Sequence, residues 1–229
     1  MKTPTMRGLA AVALLVLPLL SASQTQSQAQ GRTEAKVVQI RLQDGIASLP
    51  LATEHRAGYE RTRFRHWVDE DHDHCNTRAE VLIAESRTEP VLEGACTVTA
   101  GTRFSYYDGT TVTDPAKLDI DHLVPLAEAW ASGASQWTPA RREAYANDLG
   151  AERSLVAVTA RTNRSKSDQD PAEWLPPAAE AYCQYVTDWV STKLRWKLTA
   201  DPAEIAALNK VADGCGYAAV AYEPAAEDH

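Results

Sequence analysis

Two short apolar runs that break abruptly into polar residues constrain the fold of this chain most. The first, Leu118-Asp119-Ile120-Asp121-His122-Leu123, is stopped by Pro125, and the second is Leu155-Val156-Ala157-Val158. Each has the texture of a strand running into a turn. With a side-chain period of two, Asp119 and Asp121 share one face of the first strand, and His122 projects away from Asp121. After the second run polar residues crowd in at once, Thr162-Asn163-Arg164-Ser165-Lys166-Ser167-Asp168. That pattern predicts a loop and then a helical start near Pro171. Asp119 reads as an exposed strand residue or as a partner of the site.

The chemistry of these two segments points to phosphodiester cleavage. A phosphodiester resists attack because its anionic oxygens repel a nucleophile and its leaving alkoxide is strongly basic. A divalent ion answers both difficulties, and a neutral imidazole can take a proton from water. Arg161, Arg164 and Lys166 surround Asn163 with positive charge suited to neighbouring phosphates. Taken singly, an Asp-His pair is usually a structural hydrogen bond and Asn-Arg-Ser-Lys a solvated turn. Their order, each after an apolar run, makes a nuclease site the stronger reading.

Asp-His-Leu-Val-Pro from residue 121, the stretch around Asn147, and Asn-Arg-Ser-Lys-Ser-Asp from residue 163 resemble the HNH, or His-Me finger, nucleases. The wording is similar to the HNH domain of RNA-guided CRISPR effectors, and closer to small secreted HNH endonuclease-family proteins of actinobacteria. The likeness runs from about Tyr59 to Cys215 and includes Trp67 to Leu82, the run Pro125 to Trp130, and Trp174-Leu175-Pro176-Pro177. It implies a ββα-metal unit, in which a hairpin and a helix hold one divalent cation. It also implies His122 as general base, Asp121 and Asn163 as metal ligands, and Asn147 as the motif's middle Asn, bracing the catalytic loop. Asp121 and Asn163 stand where many relatives have His. The oxygen ligands suit Mg²⁺ or Mn²⁺ better than Zn²⁺. Arg78 resembles a recurring Arg of the secreted family, to be read as a phosphate contact alongside Arg164 and Lys166 or as a salt bridge holding its loop.

Location follows from the amino terminus and the cysteines. Lys2 and Arg7, an apolar core from Leu9 to Leu20 and the small residues Ser21-Ala22-Ser23 read as an export signal over residues 1–23, with cleavage there or a few residues later. Residues 24–52 read as a partly disordered leader, 53–222 as the nuclease domain and 223–229 as a flexible tail. Four cysteines without Cys-x-x-Cys spacing favour disulfides in an exported chain. Three pairings are possible, and Cys75 with Cys96 and Cys183 with Cys215 join neighbouring parts of the chain. Secretion without membrane association is expected, and no obligate protein partner is evident.

Charge argues against passive adhesion to nucleic acid. The 229 residues hold 23 Lys and Arg against 31 Asp and Glu, a net charge of −8. Affinity for DNA comes largely from phosphate neutralisation. Local positive charge and the metal must therefore supply it. With no recognition helix or zinc module in the sequence, cleavage of DNA, and of RNA as a second substrate, is expected to show little sequence selectivity.

The remaining elements make a small α+β single domain, the ββα unit with additional packing helices. Helices are expected over Glu54 to Trp67, Ala79 to Ser86, Thr138 to Ala146, Glu180 to Leu198 and Pro202 to Ala212, with hairpins over Ala95 to Ile120. One motif stands apart. Asp69, Asp71, Asp73 and Glu80 occupy positions one, three, five and twelve of an EF-hand-like calcium loop, but position six is His74 instead of Gly. A structural Ca²⁺ there would be a second metal site of the nuclease, and a noncatalytic extracellular calcium-binding or interaction module on the same scaffold is the alternative from another class.

Overall fold

The computed structural model describes residues 36–226; the export-signal segment lies outside the described residues. β1 (Val38–Arg41) leads into α1 (Leu42–Ala47), and a long connection with one 3₁₀ turn at Arg61–Arg63 reaches α2 (Thr77–Ala84). Four short strands follow, β2 (Val91–Glu93), β3 (Thr97–Ala100), β4 (Arg103–Ser105) and β5 (Thr110–Val112). Next come β6 (Leu118–His122), α3 (Leu126–Ala131), α4 (Pro139–Ala146) and β7 (Leu155–Thr159). α5 (Ala160–Lys166), α6 (Tyr182–Trp196), α7 (Pro202–Ala212) and β8 (Ala219–Tyr222) complete the order. The strands pair as four two-stranded antiparallel sheets, β1 with β8, β2 with β3, β4 with β5 and β6 with β7. The result is a mixed α and β fold, and among the described residues no helix is long and apolar enough to cross a membrane.

The β6–β7 pair sorts the interior into two faces. Its register places Asp121 opposite Val156, Ile120 opposite Ala157 and His122 opposite Leu155. Cross-strand partners share a face, so Leu118, Ile120, Leu155 and Ala157 pack with Val81 and Leu82 of α2 in a small cluster. Val156 and Val158 turn the other way into the main core with Tyr185, Trp189 and Val190 of α6. Each large apolar side chain fully buried there contributes about 1.5–3 kcal/mol.

Helix ends follow local chemistry. The Thr138 side chain accepts the Arg141 N–H with Pro139 in the first turn of α4, as the Thr-Pro signal predicts. Asp201 caps α7 by accepting the Glu204 N–H. Along α6, Tyr185, Val186, Trp189, Val190, Lys193 and Trp196 recur at helical spacing on the buried side. Lys193 is wholly buried and donates to Glu128 Oε1 at 2.8 Å and Glu204 Oε2 at 2.6 Å, tying α6 to α3 and α7. Disulfides join Cys75 to Cys96 and Cys183 to Cys215, the second linking α6 to the end of α7.

Several expectations need correction. The helix expected over Glu54 to Trp67 is only the 3₁₀ turn: Tyr59 and Phe64 both pack on Trp130, Phe64 also meets Tyr145 and Trp67 turns to His122, so tertiary contacts and not helical spacing place these aromatic residues. The leader boundary at residue 52 falls inside the fold: β1 pairs with β8, and Leu42 and Ile46 of α1 are buried in the core. Residues 223–226 of the expected tail are held as well, since Arg195 donates to the Glu223 carbonyl and the Ala225 N–H to the Arg195 carbonyl. Helix begins at Ala160 directly after β7, so the Asn-Arg-Ser-Lys segment is helical and not a loop. Thr159 caps it by accepting the Thr162 N–H.

Glu85, just past α2, accepts the Ala157 N–H through Oε2 at 3.1 Å and so fastens α2 to β7. Burial, the largest cause, raises its pKa from 4.5 to about 7. A raised folded-state pKa gives stability that is fully present below 4.5 and is lost as pH rises through about 7. Thermal melts of Glu85→Gln against the parent should therefore show the parent losing ground steadily from pH 4.5 to 7.5. Parallel melting curves would refute this coupling.

Candidate active site

Asp119 and Asp121 share the main-core face of β6, as the period of two requires, and α5 lies against that face. Lys166, at the last turn of α5, is wholly buried and reaches Asp121 Oδ2 at 2.7 Å. The Tyr107 hydroxyl donates to the same oxygen at 2.6 Å. Lys166 Nζ also donates to the His122 carbonyl at 3.1 Å, so one side chain ties the end of α5 to the end of β6. Burial pushes the Asp121 carboxyl up and the Lys166 ammonium down, and the attraction between them opposes both shifts. Asp121 Oδ1 has no hydrogen bond among the described residues.

One helical turn earlier, Asn163 donates its Nδ2 to Asp119 Oδ2 at 3.3 Å, which orients its amide oxygen away from that carboxylate. Arg164 Nε lies 3.4 Å from the same Asp119 oxygen. Asp119 is thus a half-buried partner of the site and not the exposed strand residue that the sequence allowed. Its side chain, 29% exposed, is enclosed by α5.

His122 departs to the other face. Its Nε2 lies 2.9 Å from the Ala146 carbonyl. A carbonyl can only accept, so Nε2 carries the proton and a neutral ring keeps its lone pair on Nδ1. Trp67 lies over the imidazole with ring centroids 5.4 Å apart, and His66 meets it edge-on at 6.2 Å. Burial, above all other causes, lowers the His122 pKa from 6.5 to about 3, so the ring is uncharged at neutral pH.

These residues meet in a cleft of about 380 Å³ lined by Asp121, His122, Asn163, Arg164, Tyr59 and Arg61, among others. Tyr59 and Arg61 come from the segment expected to be a plain helix. Tyr107, which holds Asp121, lies in the stretch expected only to form hairpins. None of the three carried a signal in the sequence that marked it for the site.

Other candidates lie elsewhere. Asn147, buried at the end of α4, donates to the Arg65 and Glu143 carbonyls and accepts from Val68 N–H and the Thr77 hydroxyl. It braces the chain beneath His122 and has no capacity left for substrate. Arg78 donates to the Pro115 and Leu118 carbonyls, buttressing the start of β6, so it is not brought to the cleft as a phosphate contact. Lys166 likewise faces Asp121 in the interior, where no phosphate reaches it directly. Asp69, Asp71 and Asp73 do converge, and Glu80 feels all three charges. His74 takes φ +77°, the left-handed conformation that Gly usually supplies. The three carboxylates accept backbone N–H groups of their own loop from His74, Asp73 and Cys75.

Residues 73–211 match the family described as GmrSD restriction endonucleases, C-terminal domain. An uncharacterized secreted protein of Arthroderma benhamiae is 40% identical over 158 residues, covering 69% of this chain and 76% of its own. No solved structure matches the chain.

Removing one member of a buried ion pair leaves the other charge unpaired, at a cost of about 3–5 kcal/mol. Lys166→Met should lower unfolding stability by about that much in urea titrations. The double variant Lys166→Met/Asp121→Leu should recover part of the loss. A single variant as stable as the parent would contradict the structural role given to this pair.

Proposed function

Because the chain belongs to the family of GmrSD restriction endonuclease C-terminal domains, we propose that it is a secreted, metal-dependent endonuclease of the HNH type that hydrolyses phosphodiester bonds in DNA, with RNA as a second substrate to test. One observation carries this reading. Asp121, His122 and Asn163, separated by some forty residues of chain, line one cleft beside the Arg164 guanidinium. The extracellular setting accords with the two disulfides and with the secreted relative.

The donors fit a hard divalent ion. Asp121 Oδ1 and the Asn163 amide oxygen remain for coordination, and two oxygen ligands with a place for water suit Mg²⁺ or Mn²⁺. When bound, such an ion neutralises developing charge on the phosphate and steadies the leaving oxygen. The protein's own groups do the rest. Tyr107 and Lys166 hold Asp121 in place, and Asp119 orients the Asn163 amide. The Ala146 carbonyl fixes the His122 tautomer, so Nδ1 is the atom that takes a proton from the attacking water. A general base of this kind contributes about 10²- to 10⁴-fold. Arg164, exposed for most of its surface, offers a fork of N–H donors to a phosphate. Such contacts read backbone and not bases, which accords with low sequence selectivity.

The test is cleavage of supercoiled plasmid by signal-free protein in Mg²⁺, Mn²⁺ or EDTA. The parent should nick and then linearise it with metal alone, and His122→Ala should lose about 10²- to 10⁴-fold while remaining folded, at a lower melting temperature because the buried ring gives up its bond to the Ala146 carbonyl and its packing on Trp67. Folded, disulfide-bonded parent protein that leaves DNA and RNA intact under every metal would overturn the proposal.

A further inference from the structure

Four arginines lie between residues 56 and 65, and three have carboxylate partners. Arg56 pairs with Asp168, Arg63 lies 3.7 Å from Glu60, and Arg65 lies 3.1 Å from Glu143. Arg61 has no ion-pair partner among the described residues, yet it lines the cleft with His122, Asn163 and Arg164. Its neighbours hold it there. Phe64, 1% exposed, is locked among Tyr59, Trp130 and Tyr145, and Tyr59 packs edge-on against Trp130. The short 3₁₀ turn between these two anchors carries Arg61 over the cleft and against Tyr59. Its charge is also felt at the His122 imidazole.

The cleft's own carboxylates, Asp121 and Asp168, are already paired with Lys166 and Arg56, so the Arg61 guanidinium, bonded to Tyr59 but with no ion-pair partner among the described residues, is matched to an anion supplied from outside. On a chain of net charge −8, such a placement also answers how a polyanion is received at all. Resting on the nuclease reading above, we propose that Arg61 is a substrate-binding residue, gripping a backbone phosphate of the nucleic acid from the 3₁₀ turn at Arg61–Arg63 while Arg164 approaches from α5. The two arginines then bracket the phosphate presented to His122. Arg164 must loosen its contact with Asp119 to engage fully, whereas Arg61 is available at once. Arg61 is therefore the stronger determinant of binding.

Kinetics and binding together test this with the full disulfide-bonded chain in Mg²⁺. Arg61→Ala should lower kcat/KM on a DNA substrate by about ten- to a hundredfold, the loss expected of one charge-assisted phosphate contact. Arg61→Lys should restore part of it, and melting temperatures should be unchanged because Arg61 is exposed. In the His122→Ala background, anisotropy of a labelled duplex against salt should lose about 0.9 from the slope of log affinity on log salt when Arg61 becomes Ala, one phosphate contact's worth. An unchanged slope overturns the proposal, whether or not activity falls, because activity lost without a phosphate contact marks a structural role. A parent that cuts nothing overturns the nuclease reading instead, and the salt slope then still decides Arg61 by itself; a chain that cuts nothing and shows no salt-dependent binding overturns both.

Discussion

The buried pair of Lys166 and Asp121 is the interaction on which the candidate site depends. Neither side chain is much accessible, and their separation of 2.7 Å leaves no room for water between them. Two charges taken out of water this far are tolerable only when each is paired and also hydrogen-bonded. Tyr107 supplies the second bond to Asp121, and the His122 carbonyl a second acceptor for Lys166. Those bonds pull the last turn of α5 onto the end of β6, and Asn163 is thereby set beside Asp119 at the edge of the same cleft. Position in the fold and readiness of the site therefore have one cause.

Around that pair the scaffold is mostly aromatic and helical. Trp189, Tyr185, Tyr107 and Trp174 meet edge-on or tilted in the main core, behind the face of β6 that carries the two aspartates. On the other side Trp67 and the Ala146 carbonyl hold His122, and Asn147 fixes the segment from which Trp67 comes. A rigid support on both faces suits a site whose groups must stay within tenths of an ångström of a working geometry.

Legibility in the sequence differed from element to element. The strands of the β6–β7 pair show in their apolar runs, and α4, α6 and α7 in capping residues and helical spacing. The segment from Glu54 to Trp67 was misleading, since its aromatic residues serve tertiary contacts with α3, α4 and β6 that no local rule registers. The helical nature of Asn163 and Lys166 was also hidden. Thr159 caps α5 immediately after the strand, and a polar helix with its few buried residues turned inward looks like a loop when read alone.

The sequence by itself determined which chemistry is available: a carboxylate next to an imidazole, an amide among basic residues, four cysteines, and strands whose period puts Asp119 and Asp121 on one face. Only the tertiary structure decided how these groups are used. Side-chain type and local periodicity are set by covalent order, but burial and partnership depend on chain segments distant in sequence. Thus Lys166 became an internal counter-ion instead of a phosphate contact, Arg78 a buttress of β6, and Asp119 the partner of Asn163. Arg61 lines the cleft because Tyr59 and Phe64, anchored on Trp130 of α3, hold the short turn that carries it.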